Sequence, residues 1–278
     1  MKKPLEPGLY VVATPIGNLG DLSPRAAETL RNCALILAED TRVTGKLLAH
    51  IGAKAPMRRY DDHSTDSHRA ALVDRLAGEA VAIVSDAGTP LISDPGYKLV
   101  RSARDAGRQV HTVPGPCAAI AALSVAGLPT DRFLFLGFLP AKAKARADAI
   151  AEIADIRATL VIYESGQRLG DTLKALLEIL GNQDALIARE LTKLYEESFV
   201  GTLGDLAERF SGPPPKGEIV IVVGRAQEAQ TVSDDDLDRL LEDAMVDLTP
   251  SRAAARVAER LGIPRKRAYA RALELGSK

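Results

Sequence analysis

Short, almost wholly apolar runs alternate along the chain with longer stretches in which apolar positions recur every three or four residues. Gly8-Leu9-Tyr10-Val11-Val12-Ala13, Ala34-Leu35-Ile36-Leu37-Ala38, Ala80-Val81-Ala82-Ile83-Val84 and residues 109–113 read as buried strands. Helices are expected between them, over residues 24–33, 46–51, 68–78 and 97–106, the first opened by Ser23 as N-cap with Pro24 behind it. This alternation predicts an α/β fold with a doubly wound, mostly parallel sheet. A second α/β pattern begins at residues 132–138, with a helix near 145–154, strands at 159–163 and 185–189, a helix at 170–180, a β-rich stretch at 197–201 and a last strand at 218–223. The domain boundary is placed near residues 128–132. The resulting division is 1–129 and 130–226, a linker at 225–233, and a helical tail over 232–278 broken at Thr249-Pro250-Ser251 and Gly262-Ile263-Pro264.

With 278 residues, 46% hydrophobic and 26% charged, there is material for two packed cores. The net charge of −1 advertises no polyanion partner, yet it conceals a local asymmetry. From Met245 to Lys278 there are eight basic residues against three acidic ones, and Arg252, Arg256 and Arg260 repeat along one face of a helix, a spacing suited to phosphates. Cys33 and Cys117 sit in apolar surroundings without metal-ligand spacing, and His63 and His68 share no such pattern, so no disulfide and no metal are expected. Met1-Lys2-Lys3-Pro4 leads directly into a strand, and no run approaches 18 apolar residues. The expectation is a cytoplasmic protein with no membrane insertion.

The chemistry is concentrated in loops at strand C-termini, where open α/β sheets meet ligands. Residues 84–96 connect a strand to a helix with two Pro, two Gly and two Asp, far more special backbone than such a link requires. Thr14-Pro15-Ile16-Gly17-Asn18-Leu19-Gly20-Asp21, Glu39-Asp40-Thr41-Arg42, Pro114-Gly115-Pro116-Cys117-Ala118-Ala119, Glu164-Ser165-Gly166-Gln167-Arg168 and Glu190-Leu191-Thr192-Lys193 would converge with it on one crevice. No GxxxxGK[ST] loop occurs, and Gly17-Asn18-Leu19-Gly20 does not complete a dinucleotide fingerprint.

Taken in order, Ser85-Asp86-Ala87-Gly88-Thr89-Pro90-Leu91-Ile92-Ser93-Asp94-Pro95-Gly96, the Thr14 to Asp21 loop, Ala38-Glu39-Asp40-Thr41-Arg42, Tyr163-Glu164-Ser165 and Arg189-Glu190-Leu191-Thr192-Lys193 make the chain resemble the bacterial 16S ribosomal RNA cytidine 2′-O-methyltransferases of the tetrapyrrole-methylase-like superfamily. The resemblance spans roughly residues 8–224 with the basic tail beyond. It departs at Gly166-Gln167, where the family usually has Pro-His, so no histidine acts there.

The resemblance implies two α/β domains with S-adenosylmethionine in a trough between them, a homodimer, and methylation of a cytidine ribose 2′-hydroxyl in 16S rRNA or the 30S subunit. Pro15, Ser85, Asp86, Ala87, Leu91, Cys117, Ala118, Glu164 and Leu191 would hold the cofactor, with Asp86 on its ribose. Glu39, Asp40 or Glu190 would act as general base or position the acceptor ribose, and Arg42 and Lys193 would contact RNA phosphate.

Structural readings stand beside these. Glu39-Asp40-Thr41-Arg42 also suits a helix N-terminus with its own ion pair, and Asp94 before Pro95 suits a cap. Cys117 fits a small buried residue, and Tyr163 fits core as well as ligand wall. The rival functions are a methylase of a small tetrapyrrole and a non-catalytic RNA-binding assembly factor. Residues 85–91 are expected on the cofactor and 93–96 in a supporting role.

Overall fold

The computed structural model describes residues 5–61, 64–225, 234–261 and 265–276. Residues 1–4, His63, most of the expected linker and the Gly262-Ile263-Pro264 break lie outside them. The chain separates into two compact units, residues 1–225 and 226–278.

The first unit opens with β1 (Gly8–Val12), α1 (Pro24–Asn32), β2 (Leu35–Ala38), α2 (Thr41–Ile51), β3 (Met57–Arg59), α3 (Asp66–Arg75), β4 (Ala80–Val84), α4 (Tyr97–Asp105), β5 (Val110–Val113) and α5 (Ala118–Val125). Its strands pair in parallel in the order β3-β2-β4-β1-β5. Both faces are covered, which is why these strands read as continuous apolar runs. Tyr10, Val12, Leu30, Ile36 and Leu47 pack on one side, and Leu9, Leu35, Leu37, Leu72 and Leu99 on the other. Ser23 accepts from the Ala26 amide at 3.1 Å, so the cap read from Ser23-Pro24 is present.

A second sheet follows, built from β6 (Phe133–Phe138), β7 (Thr159–Ser165), β8 (Asp184–Arg189), β9 (Glu197–Thr202) and β10 (Glu218–Val223) in the order β6-β7-β10-β8-β9. Helices α6 (Ala143–Ile153), α7 (Gly166–Leu180) and α8 (Leu203–Arg209) accompany it. Only β6 and β7 are parallel; β10 runs antiparallel to both β7 and β8, and β9 antiparallel to β8. The C-terminal ends of β7 and β8 therefore emerge on the same edge, beside the start of β10. Four elements differ from the sequence reading. β3 and α8 were not anticipated. α2 begins at Thr41, not 46, because Asp40 caps it, and α7 begins at Gly166, not 170.

The second unit holds α9 (Asp234–Met245), α10 (Pro250–Leu261) and α11 (Arg265–Leu275) around Leu237, Leu241, Ala254, Val257, Ala268 and Ala272. Arg271 bridges to both carboxylate oxygens of Asp238 at 2.6 Å and to Glu274, while Arg267 reaches Asp234 at 3.1 Å. Arg252, Arg256 and Arg260 are exposed, and their side chains make no ion pair among the described residues.

Candidate active site

Loops from the two sheets of the first unit meet around two adjoining cavities. The loop after β1 is stitched to the loop after β4 by a two-way ladder: the Thr14 amide donates to Gly88 O at 2.9 Å and the Gly88 amide to Thr14 O at 3.1 Å. Gly88 adopts φ 79°, and a Cβ there would approach the Ile16 side chain to 3.2 Å, so the tight turn and the close approach both favour glycine. The end of β2 is tied to the same loop, since the Asp40 amide donates to Asp86 Oδ1 at 2.9 Å and the Glu39 carboxylate accepts from the Asp86 amide.

The inner cavity has a volume of about 250 Å³. Ile16, Ala188, Leu191 and Val220 give it apolar walls; Ala87, Gly88 and Thr89 line it from the loop after β4, and Cys117 and Ala118 from the start of α5. Tyr163 stands on its wall with its hydroxyl oxygen accepting from the Ala119 amide at 3.1 Å, and Phe135 and Phe138 meet its ring edge-on. Burial pushes the Tyr163 phenol well above its usual range, so it stays neutral. Tyr163, left open between core and ligand wall, lines this cavity and partners the start of α5.

The outer cavity, of about 290 Å³, is lined by Pro15, Gly17, Leu19, Val43, Thr44, Lys46, Leu47, Ser85, Asp86 and Lys193. It shares Ile16, Ala87 and Glu218 with the inner one.

The expected cofactor residues divide between them. Ala87, Cys117, Ala118, Glu164 and Leu191 line the inner cavity, whereas Pro15, Ser85 and Asp86 line the outer one, and Leu91 lines neither. Ile92, Ser93 and Asp94 join Ala87, Gly88 and Thr89 on the inner cavity, so the lining extends past the 85–91 segment into the one expected only to support it. The cause is backbone geometry. Leu91 and Ser93 have φ 72° and 65°, which turns Leu91 inward against Gly96 and swings the next three side chains to the cavity.

Glu164 is fully buried and internally engaged: it accepts from the Ser165 amide at 2.8 Å and the Thr172 hydroxyl at 2.7 Å, with Arg168 at 3.4 Å. Its carboxylate fastens the start of α7 and leaves little for a ligand.

The five expected catalytic residues also divide. Asp40 caps α2 by accepting from the Arg42 amide at 2.8 Å and pairs with the Arg42 guanidinium at 2.6 Å, which holds its carboxyl far below the usual range. For these two residues the helix-N-terminus reading describes what is seen. Glu190 accepts from Lys193 Nζ at 2.9 Å and the Glu218 amide at 3.0 Å, while Lys193 also reaches Glu218 at 2.9 Å. The Lys193 bond is the main reason that the Glu190 pKa is lowered.

Glu39 differs. Half-buried at the end of β2, it is raised by burial and then by the charges of Asp94 and Asp86. Asp94 itself is pushed up to about 6, mainly by burial, with the Ser85 hydroxyl opposing the shift and Asp86 reinforcing it. Asp94 is the residue that sequence reasoning placed in support. Its signal was its position inside an over-decorated loop, but the adjacent Pro95 argued for a cap.

Among the described residues no group of His, Cys, Asp or Glu is arranged to hold a metal. No helix of the described residues is long and apolar enough to cross a membrane.

Residues 8–207 match the family model of the Tetrapyrrole (Corrin/Porphyrin) Methylases, and residues 231–276 match that of the RsmI C-terminal HTH domain. The chain is 54% identical over 273 residues to ribosomal RNA small subunit methyltransferase I of Erythrobacter litoralis, covering 98% of this chain and 97% of that one. To the Escherichia coli O157:H7 protein of the same name it is 45% identical, over 96% and 94% of the two chains. Among solved structures, diphthine synthase aligns with a TM-score of 0.59 at 14% identity, over 78% of this chain and 89% of that one. Uroporphyrin-III C-methyltransferase from Thermus thermophilus, complexed with S-adenyl homocysteine, aligns at 0.54 and 21%, over 78% and 97%. These two likenesses concern the fold.

Proposed function

Because this chain belongs to the ribosomal RNA small subunit methyltransferase I family, built on the tetrapyrrole-methylase fold, we propose that it methylates the ribose 2′-hydroxyl of a cytidine in the decoding region of 16S rRNA, with S-adenosylmethionine as donor. The observation that carries the reading is the inner cavity, whose linings suit that donor. A flat base fits between Ile16, Leu191 and Val220, main-chain groups of Ala87 and Ala118 are available to its edges, and a carboxyl at Asp94 complements a sulfonium cation. When bound, the cofactor supplies an electrophilic methyl group.

The chain's own residues hold and orient the acceptor, which in a displacement of this kind is worth up to ~7–11 kcal/mol for well-aligned reactants. Of the three carboxylates expected as base, Asp40 and Glu190 are already engaged by Arg42 and by Lys193. Glu39 remains, and its raised pKa brings it nearer to the working pH, as general-base catalysis favours. Glu39, which lines neither cavity but touches Asp86 on the wall of the outer one, is therefore the carboxylate assigned to the acceptor proton, and Asp94 and Asp86 tune it.

The same reading makes residues 1–129 and 130–226 the two α/β domains and 232–278 a separable RNA-binding tail. Arg252, Arg256 and Arg260 face phosphate there, since Arg267 and Arg271 already neutralise acids within the tail. It also places the protein in the cytoplasm as a homodimer. Tritium transfer from labelled AdoMet into 30S particles, naked 16S rRNA and a porphyrinogen tests it. Label in rRNA ribose supports the proposal, label in the porphyrinogen transfers the site to tetrapyrrole chemistry, and AdoMet binding without label in any of them removes the assigned reaction.

A further inference from the structure

The loop after β8 carries a turn whose corner residues folding does not explain. The Glu196 amide donates to Lys193 O at 3.2 Å, which closes a β-turn with Leu194 and Tyr195 at its corners. Such corners ordinarily take Gly, Pro, Asn, Asp or Ser, which are small or bond to the local backbone. Here they hold large side chains with apolar bodies, 88% and 71% exposed. A single exposed leucine or tyrosine is ordinary. Two in succession at one tip mark a contact surface.

The base of the turn is fixed. The Thr192 amide donates to the Glu196 carboxylate at 2.8 Å, and Lys193 Nζ reaches Glu190 and Glu218, each at 2.9 Å. Gly17 makes room for this arrangement, since a Cβ there would collide with the Lys193 side chain. A tip on a fixed base loses little freedom when it binds.

Its surroundings decide the partner. Lys193, where the turn starts, lines the outer cavity, and α2 lines that cavity with Val43 and Lys46. Lys46 and the neighbouring Arg42 are exposed, and so is Lys216, whose carbonyl accepts from Arg189 at the end of β8. An exposed ring beside cations, at the opening of a site, is the combination that holds single-stranded RNA. The cations follow the backbone while an unpaired base lies on the ring. A base inside an RNA helix has both faces covered and cannot use such a tip.

Resting on the methyltransferase reading above, we propose that the Leu194-Tyr195 tip is a stacking platform for an unpaired nucleotide adjoining the one that is methylated. Neither residue lines either cavity, so the platform takes a second base of the RNA. Its identity is free, because stacking on a ring reads no base edge. The first unit thereby selects RNA that is unpaired beyond the methylated nucleotide.

Tyr195→Ala and Tyr195→Phe, in the full chain, are compared with wild type for AdoMet affinity by calorimetry, thermal melting, sedimentation and steady-state methylation of 30S particles. The alanine variant keeps AdoMet affinity, melting temperature and kcat, and its KM for the particle rises about 5–150-fold, the range for one lost base stack. The phenylalanine variant keeps the ring and stays within about twofold of wild type. Wild-type KM in Tyr195→Ala overturns the platform. So does an equal rise in both variants, which would assign the contact to the hydroxyl, and so does altered sedimentation in Tyr195→Ala, which would give the tip to a second copy of this chain.

The sequence contains no tryptophan, so Tyr195→Trp places a lone indole at the tip. A single-stranded oligouridylate quenches its fluorescence, and an RNA duplex of the same length does not. Quenching by both alike, or by neither, overturns the proposal. This readout needs no turnover, which keeps the two failures apart: selective quenching in a protein that labels no rRNA refutes the assigned reaction and still supports a tip that stacks on unpaired RNA.

Discussion

The loops that follow β4 and β8 face each other across the site, and both contain strained backbone. All four non-glycine residues with positive φ among the described ones lie in them: Leu91 and Ser93 in the first, Glu190 and Thr192 in the second. Yet they treat acid groups in opposite ways. In the first, burial and like charge lift Asp94 to about 6 and raise the neighbouring Glu39. In the second, Lys193 and a backbone amide hold Glu190 ionised and immobile. Strain alone therefore does not mark the reactive group. In the function proposed above, the loop after β4 and the end of β2 keep carboxylates poised for proton transfer, and the loop after β8 works as a clamp.

The sharpest way to break this contrast is Glu39→Gln. If Glu39 is the base, kcat falls by ~10²–10⁴-fold while AdoMet affinity measured by calorimetry holds; full turnover would assign the chemistry elsewhere. Lys193→Met acts on the clamp. It leaves Glu190 and Glu218 without their shared cation and costs about 1–2 kcal/mol in urea unfolding, the range for a hydrogen-bonded, half-buried ion pair. The sign with pH follows from the lowered pKa of Glu190. Its stabilisation is present above the unfolded value of about 4.3 and is lost as pH falls through the folded value. The gap between wild type and variant should therefore narrow below about pH 4.

Asp94→Asn sharpens the other side. Removing that charge lowers the pKa of Glu39, so the acid limb of the kcat/KM profile moves down by less than about one pH unit. An unmoved limb would separate Asp94 from the reacting group. Asp94 also carries a stability signature of the opposite sign to Glu190: its folded pKa is raised, so wild-type stability declines as pH climbs from about 4 to about 6, and the amide variant should lack that decline. The smallest effect belongs to Asp40→Ala. Its carboxylate serves a helix cap and the exposed Arg42, so melting shifts slightly and kcat stays near wild type.

Much of this architecture was legible because the first sheet is covered on both faces. Burial on both faces writes β1, β2 and β4 as unbroken apolar runs, and the chain must then alternate with helices. β3 left no such trace. Met57-Arg58-Arg59 is a strand only because it pairs with β2 at the sheet edge, where its arginines reach solvent. Direction was equally silent in the second sheet, since an apolar run reads the same whether its neighbour is parallel or antiparallel.

At the site, sequence order brought the right loops together but could not say which side of a loop faces inward. Asp94 lines the inner cavity and Leu91 does not, because two non-glycine residues adopt a backbone that residue type does not announce. Asp40 and Glu190 looked as reactive as Glu39, because the cations that silence them are recognised only by distance.

Ile16, Ala87 and Glu218 each belong to both cavities. Two compartments divided by so thin a partition cannot fill independently. A molecule in one changes the packing and the field felt in the other, and by linkage the influence is equal in both directions.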